Sequence, residues 1–209
     1  MGRGAPSYFP DDELLCLLVA EALIQKGMTL ARLEYHSDAI AAFDAVVRRY
    51  GDAVESPLRE QLAFPFNCVG PLFRLEGQRT QSLPPSDEVN RLLRQQVADA
   101  LVCSGIWELR EAKRCIQKDA GRVAAAFLGS AEARMDAAVK LGPDNLIALG
   151  HAGYIAFLWG RRDEARSLLA ESLRRGGEKM RAARLATANI HPLPQDEDFR
   201  ALLHELSRG

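Results

Sequence analysis

The amino-acid sequence predicts an all-α protein in which antiparallel helix pairs stack into a solenoid. Ala, Leu and Arg dominate the composition while β-branched residues are sparse, which favours helix over sheet. A spacing of twelve, four and eight residues occurs twice, in Gly27, Ala39, Phe43, Gly51 and in Gly153, Ala165, Leu169, Gly177. Ala131, Met135 and Pro143 repeat the last two intervals. Such self-similarity is typical of solenoids, whose units cannot bury their apolar faces alone.

The chain begins with a flexible lead and a first helix pair. Residues 1–10 contain two Gly and two Pro, so we expect them to be flexible. The single solenoid domain then covers residues 11–209, and its first unit covers about 11–51. We expect a helix from about Asp11 to Leu33, a turn at residues 35–37, and a second helix that Gly51 ends.

The second unit, at about 55–86, is predicted to be degenerate. Pro65 and Pro71 fall inside its first helix, where each removes a backbone donor and clashes with the preceding turn. Pro84 and Pro85 stand where the partner helix belongs, and residues 77–86 have the composition of a loop. We therefore expect this unit to lack most of its second helix.

The remaining units are predicted at 87–143 and 144–177, followed by a C-terminal cap at 178–209. The separation of Gly105 and Ala131 exceeds the usual twelve residues by fourteen. Fourteen residues are about four helical turns, so we expect a helix pair that is longer but whose apolar faces still point toward each other. Residues 142–145 end that pair and cap the first helix of the next unit, which Gly176–Gly177 end. A further helix follows, and then a short amphipathic helix that opens at Asp196 and suits a terminal cap.

Two segments resemble the tetratricopeptide repeat, a helix–turn–helix unit of about 34 residues with small residues at fixed offsets. They are residues 146–177 and the sequence AEALIQKGMTLARL…DAIAAFDAVVRRYGDA, which is similar to repeats of bacterial members of that family. The resemblance covers 14–51 and 93–177 well and 58–92 poorly. It implies a right-handed α-solenoid with one degenerate repeat and a capping helix. It also implies a scaffold or adaptor that binds a protein or peptide segment in its concave groove.

The resemblance also implies which side chains line that groove. The family's offsets select Ile24, Met28, Arg32, Asn67, Arg74, Val102, Ile106, Arg110, Gly150, Tyr154 and Phe157. His151 faces either the groove or a helix contact, and we include it. The groove floor is apolar and carries one arginine in each of the first three units, namely Arg32, Arg74 and Arg110. We therefore expect it to bind a partner segment that has both acidic and apolar side chains. Alternatively, these arginines extend into solvent beside a packed core. The family's Lys and Asn carboxylate clamp is not reproduced, so chaperone-tail recognition is not expected.

Motifs for catalysis and for cofactor binding are missing from the sequence. It contains no P-loop, Gly-x-Ser-x-Gly, Gly-x-Gly-x-x-Gly or HExxH pattern, and its four His and four Cys lack metal-ligand spacing. We therefore expect no enzyme, no cofactor and no metal site, although an enzyme whose site no motif reveals stays an alternative. The acidic residues 196–198 are better explained as favourable negative charge at the start of a helix than as ligands of a divalent ion.

Charge and targeting features favour a cytoplasmic protein that binds other proteins. The net charge is −1, so no global charge attracts nucleic acid or membrane. Residues 161–184 hold eight basic and four acidic residues, which we interpret as a solvated helix face with i,i+3 and i,i+4 pairs. The alternative is a regulatory or nucleic-acid-binding adaptor that uses this basic face. No signal peptide or membrane span is expected, and the oligomeric state is left open.

Overall fold

The computed structural model describes residues 11–55 and 86–208. These residues form helices and no strand, so the predicted all-α class is confirmed for them. The expected flexible lead and nearly all of the expected degenerate unit lie outside the described residues. Asn67 and Arg74 of the predicted groove lie outside them as well.

The described residues form seven helices, which agree closely with the predicted elements. The helices are α1 (Asp11–Arg32), α2 (His36–Glu55), α3 (Ser86–Gln117), α4 (Gly121–Leu141), α5 (Leu146–Leu158), α6 (Arg162–Asn189) and α7 (Asp196–Leu206). The predicted cap before α5 is present, since the side chain of Asn145 accepts a hydrogen bond from the backbone N–H of Ala148 at 3.0 Å. The predicted stop at Gly176–Gly177 appears as a break inside α6, where Gly177 has φ 56° and ψ −149°.

The pairs α1–α2, α3–α4 and α5–α6 are joined by the same short turn. One residue in each turn has a left-handed backbone: Glu34 (φ 63°), Asp119 (φ 57°) and Gly160 (φ 78°). The N–H of the next residue then donates to the carbonyl oxygen five positions earlier at 2.9 Å, in the pairs Tyr35–Leu30, Ala120–Cys115 and Arg161–Ala156. This bond is the hallmark of a helix that ends in a left-handed residue. The three helix pairs are therefore copies of one hairpin.

A glycine on the first helix of each hairpin receives a side chain from the second helix. A Cβ on Gly27 would lie 2.6 Å from the Phe43 ring, one on Gly105 2.8 Å from Met135, and one on Gly153 2.8 Å from Leu169. Phe43, Met135 and Leu169 are all completely buried. The recurring spacing thus has a physical cause, because only a residue without a Cβ lets the two helices come this close.

The hairpin of α3 and α4 is longer than the other two, as its spacing predicts. From the contact glycine to the left-handed turn residue there are fourteen residues in this hairpin and seven in the others. The return helix carries the same excess before Ala131. Seven residues are about two turns, so both helices gain length while the apolar face keeps its direction.

The predicted end of α2 is wrong, because the helix runs past Gly51 to Glu55. Gly51 is half-buried inside the helix, whereas the described glycines with positive φ are Gly160 and Gly177. A glycine in a helix interior costs only about 1 kcal/mol relative to alanine, and it ends a helix only where the chain turns left-handed. The first turn also lies earlier than predicted, since α2 begins at His36.

Consecutive hairpins are joined by apolar packing and by a partly buried charge network. Helix α2 packs on α3, α4 packs on α5, and the first helices α1, α3 and α5 contact one another in that order. Arg134 of α4 donates to Asp44 of α2 at 3.1 Å and to Glu108 of α3 at 2.8 Å. Ser130 donates to Glu108 and Ser104 donates to Asp44, so the network spans three helices.

Candidate functional site

A pocket of about 370 Å³ opens between α3, α5 and the part of α6 that follows Gly177. Apolar side chains form most of its wall, and basic side chains interrupt them. The residues that line it are Ile106, Leu109, Arg110, Lys113, Ile147, His151, Lys179, Met180, Ala183, Arg184, Ala186, Thr187 and Ile190. None of these residues is acidic, so the described part of the wall contributes basic side chains and no carboxylate of its own.

Arg184 is the most unusual of these side chains. It is only 2% exposed, and its Nε and Nη1 atoms have no hydrogen-bond partner among the described residues. Burial lowers the pKa of its guanidinium to about 10, because the charged form loses hydration. A Cβ on Gly150 would lie 3.1 Å from Cδ of Arg184, so the glycine leaves the room that this side chain occupies.

Arg110 lies on the same pocket and is held by aromatic stacking instead of by a carboxylate. Its guanidinium carbon lies 4.3 Å from the ring centre of Trp107, which itself stacks on His36 at 4.6 Å. Its buried Nε has no hydrogen-bond partner among the described residues, and burial lowers its pKa. The stack therefore positions the guanidinium while leaving hydrogen-bond donors unused.

His151 contributes a neutral ring between the two arginines. It is 3% exposed, and its Nδ1 has no hydrogen-bond partner among the described residues. Its pKa lies well below the ordinary value because of burial first and then because of the charges of Arg184 and Arg110. A neutral imidazole offers a hydrogen bond without adding a third positive charge.

Lys113 also reaches this pocket, but its hydrogen bonds are already satisfied within the fold. Its Nζ donates at 3.1 Å to the carbonyl oxygens of Thr187 and Ala188 and to the Asp196 carboxylate. Asp196 also accepts hydrogen bonds from the Tyr154 hydroxyl and, at 2.8 Å, from the N–H of Leu193. This fully paired network fastens the C-terminal helices to α3 and α5, which is a structural role.

The structure brings together three of the residues that the sequence selects for the groove, namely Ile106, Arg110 and His151. On α1, Ile24 is half-buried, Met28 is 37% exposed and Arg32 is exposed, and none of them lines this pocket. Val102, Tyr154 and Phe157 are buried in the core. Phe157 and Tyr154 both pack edge-on against Phe199 of α7, so they hold the cap in place.

Sequence reasoning missed Arg184, although a signal for it exists. The residue lies 34 positions after Gly150, which the groove offsets select in the preceding unit. Carrying the repeat period one unit further would have selected it. Instead, residues 178–209 were interpreted as a cap, and Arg184 was counted with a solvated basic face.

The other described arginines of residues 161–184 are paired with carboxylates. The ion pairs are Arg161–Glu132, Arg162–Asp198, Arg166–Glu205, Arg174–Glu171, Arg175–Asp144 and Arg181–Glu178. Exposed pairs of this kind contribute little stability, but they neutralise the surface on which they lie. A strongly basic face for nucleic acid is therefore not presented by these side chains.

Two further features bear on the class of protein. Within residues 11–55 and 86–208, no three His, Cys, Asp or Glu side chains are grouped so that they can hold a metal ion. None of the helices in this part of the chain combines the length and apolar character needed to cross a bilayer. Cys103 and Cys115 are free thiols in this part of the chain, and burial raises the pKa of Cys103 to about 11, which keeps it protonated and unreactive at neutral pH.

Comparison of the chain with protein-family models, with curated proteins and with solved structures gives no match.

Proposed function

We propose that the chain is a cytoplasmic helical-repeat scaffold of the tetratricopeptide type, which binds a protein or peptide segment and catalyses no reaction. The binding surface runs along the first helices of the hairpins, α1, α3 and α5. One observation carries this proposal: Ile106 and Arg110, which repeat offsets select from the sequence, line a single pocket together with His151, and this pocket spans two of these helices. The contacts of α1 with α3 and of α3 with α5 support a continuous surface.

Charge on this surface favours an acidic segment with apolar side chains. Arg32 is exposed near the end of α1, and Arg110 has no carboxylate partner among the described residues. Guanidinium forks pair well with carboxylates. The exposed part of Met28 and the apolar pocket wall suit the intervening apolar side chains.

Selection from a random peptide library on the immobilised chain tests this proposal. We expect enriched peptides to carry Asp or Glu beside apolar residues. The variant Arg32→Ala, Arg110→Ala should bind them roughly 10-fold or more weakly, because each lost charged hydrogen bond is worth about 1.5–3 kcal/mol. Adding Arg74→Ala tests the third predicted groove arginine.

Arg174→Ala is the matched control, since it removes an arginine paired with Glu171 on the second helix of a hairpin. It should bind the selected peptides as the unmodified chain does. No enrichment of any peptide, or equal binding by the double variant, would remove the proposal. Preferential binding of single-stranded nucleic acid that weakens steeply with salt would favour the adaptor alternative instead.

A further inference from the structure

We propose that the pocket between α3, α5 and the second half of α6 is a binding site for a small carboxylate with an apolar body. Its charged end pairs with Arg184 and Arg110, and its apolar end lies between the side chains of Ile106, Ile147 and Met180. This inference goes beyond the scaffold function and does not require a protein partner.

The first step of the argument is the state of Arg184. A buried guanidinium without a hydrogen-bond partner is unfavourable, because the charge has lost water and gained nothing in return. Lys113, three residues along α3 from Arg110, shows how this fold treats a buried cation that serves the fold, since it has one carboxylate and two carbonyl partners. Arg184 has none among the described residues, and it faces an open pocket.

The second step is the arrangement of donors around Arg184. Arg110, held over Trp107, and the neutral His151 line the same pocket, and Nε of Arg110 and Nδ1 of His151 are also without partners. Two guanidinium groups and one imidazole that line one pocket, with no acidic residue in its described wall, are suited to binding an anion. Lys179 at the exposed rim adds further positive charge.

The third step identifies the class of anion. Leu109, Ile147, Met180 and Ile190 make most of the wall apolar. A phosphate dianion would leave oxygens facing hydrocarbon, whereas a carboxylate has two oxygens that match the guanidinium forks. Pockets of roughly 300–1,000 Å³ with apolar walls and a few polar groups are typical of small-molecule sites. The pocket volume of about 370 Å³ lies at the lower end of that range.

Titration calorimetry on the full chain tests the site, with octanoate as the probe and octan-1-ol and inorganic phosphate as comparisons. We expect octanoate to bind, and the alcohol and phosphate to show no measurable heat at the same concentrations. Arg184→Met, which keeps most of the stem, should bind octanoate roughly 10- to 100-fold more weakly. Arg166→Met is the matched control, because Arg166 is an exposed residue of α6 that pairs with Glu205; it should bind normally.

The thermal midpoint without ligand provides a second measurement. Because Arg184 has no hydrogen-bond or ion-pair partner among the described residues, Arg184→Met should leave the midpoint unchanged or raise it. A clear fall would mean that the guanidinium serves the fold, and it would overturn the proposal. Equal binding of octanoate by Arg184→Met, or equal binding of octan-1-ol or phosphate, would also overturn it. Binding of a pentapeptide with a free C-terminal leucine in the absence of any octanoate binding would assign the pocket to the peptide surface alone and would overturn it too.

Discussion

At the scale of single residues, two of the three hairpin turns have a residue with a Cβ atom at a backbone position that favours glycine. The left-handed turn position holds glycine only in the third hairpin, at Gly160, whereas Glu34 and Asp119 occupy it in the other two. Residues with a Cβ are strained in this conformation, and Asp tolerates it better than Glu because its short side chain can bond locally. The turn is therefore set by the hydrogen bond that follows it and by packing of the two helices.

Glu34→Gly should stabilise the protein. Removing the strain outweighs the greater flexibility of glycine in the unfolded chain, so we expect the free energy of unfolding to rise by about 0.5–1 kcal/mol. Asp119→Gly should give a smaller gain. Gly160→Ala, at φ 78°, should lower it by about 1 kcal/mol. Urea unfolding followed by circular dichroism measures all three, and a loss of stability in Glu34→Gly would contradict the shared-turn assignment.

At the scale of elements, the hairpins depend on one close contact between a glycine and a side chain. The three contacts differ in how easily the facing side chain can move. Leu169 meets Gly153 with a branched carbon and, at 3.2 Å, with its backbone nitrogen, whereas Met135 meets Gly105 with the end of a flexible chain. The penalty for filling the space should follow this difference.

Gly153→Ala should cost about 1–3 kcal/mol of unfolding free energy, because the added methyl group overpacks the contact with Leu169. Gly105→Ala should cost less, since the end of Met135 can rotate away. Gly129→Ala is the matched control, because among the described residues the added carbon in α4 would meet no atom within 4 Å apart from its chain neighbours and the backbone of its own helix. The control should gain about 0.5–1 kcal/mol from the better helix propensity of alanine. In thermal unfolding we expect Gly129→Ala to be the most stable variant and Gly153→Ala the least stable. The reverse order would contradict the role of the close glycine contact.

The hairpins were predictable from sequence for a physical reason, whereas the pocket was only partly so. A close glycine contact needs a specific residue type at a specific offset, so Gly27, Gly105 and Gly153 leave a readable spacing. The left-handed turns at Glu34 and Asp119 leave none, since their residue types do not demand that backbone. Repeat offsets select Arg110, and His151 is a sequence candidate for either the groove or a helix contact. The burial of Arg184 instead depends on the space that Gly150 leaves, a contact between residues 34 positions apart in the sequence.

At the scale of the whole molecule, one buried network links the C-terminal helices to the hairpins. Asp196 of α7 is completely buried and binds Lys113 of α3, Tyr154 of α5 and the N–H of Leu193. Lys113 also binds two carbonyl oxygens at the end of α6. The acidic start of α7, interpreted from sequence as helix-end charge, is therefore also the point where four helices meet.

Asp196→Ala should destabilise the whole chain by about 3–5 kcal/mol, because it leaves the buried Lys113 cation without its carboxylate. Asp198→Ala is the matched control in the same turn of α7. Its side chain is 72% exposed and pairs with Arg162 only at 3.5 Å, so the change should cost less than about 1 kcal/mol. Lys113→Met combined with Asp196→Leu should recover only part of the loss. It removes the unpaired cation, but it leaves the Tyr154 hydroxyl, the Leu193 N–H and the two carbonyl oxygens without the partners they have in this network. Urea unfolding that gives Asp196→Ala and Asp198→Ala the same midpoint would show that the network does not hold the C-terminal helices in place.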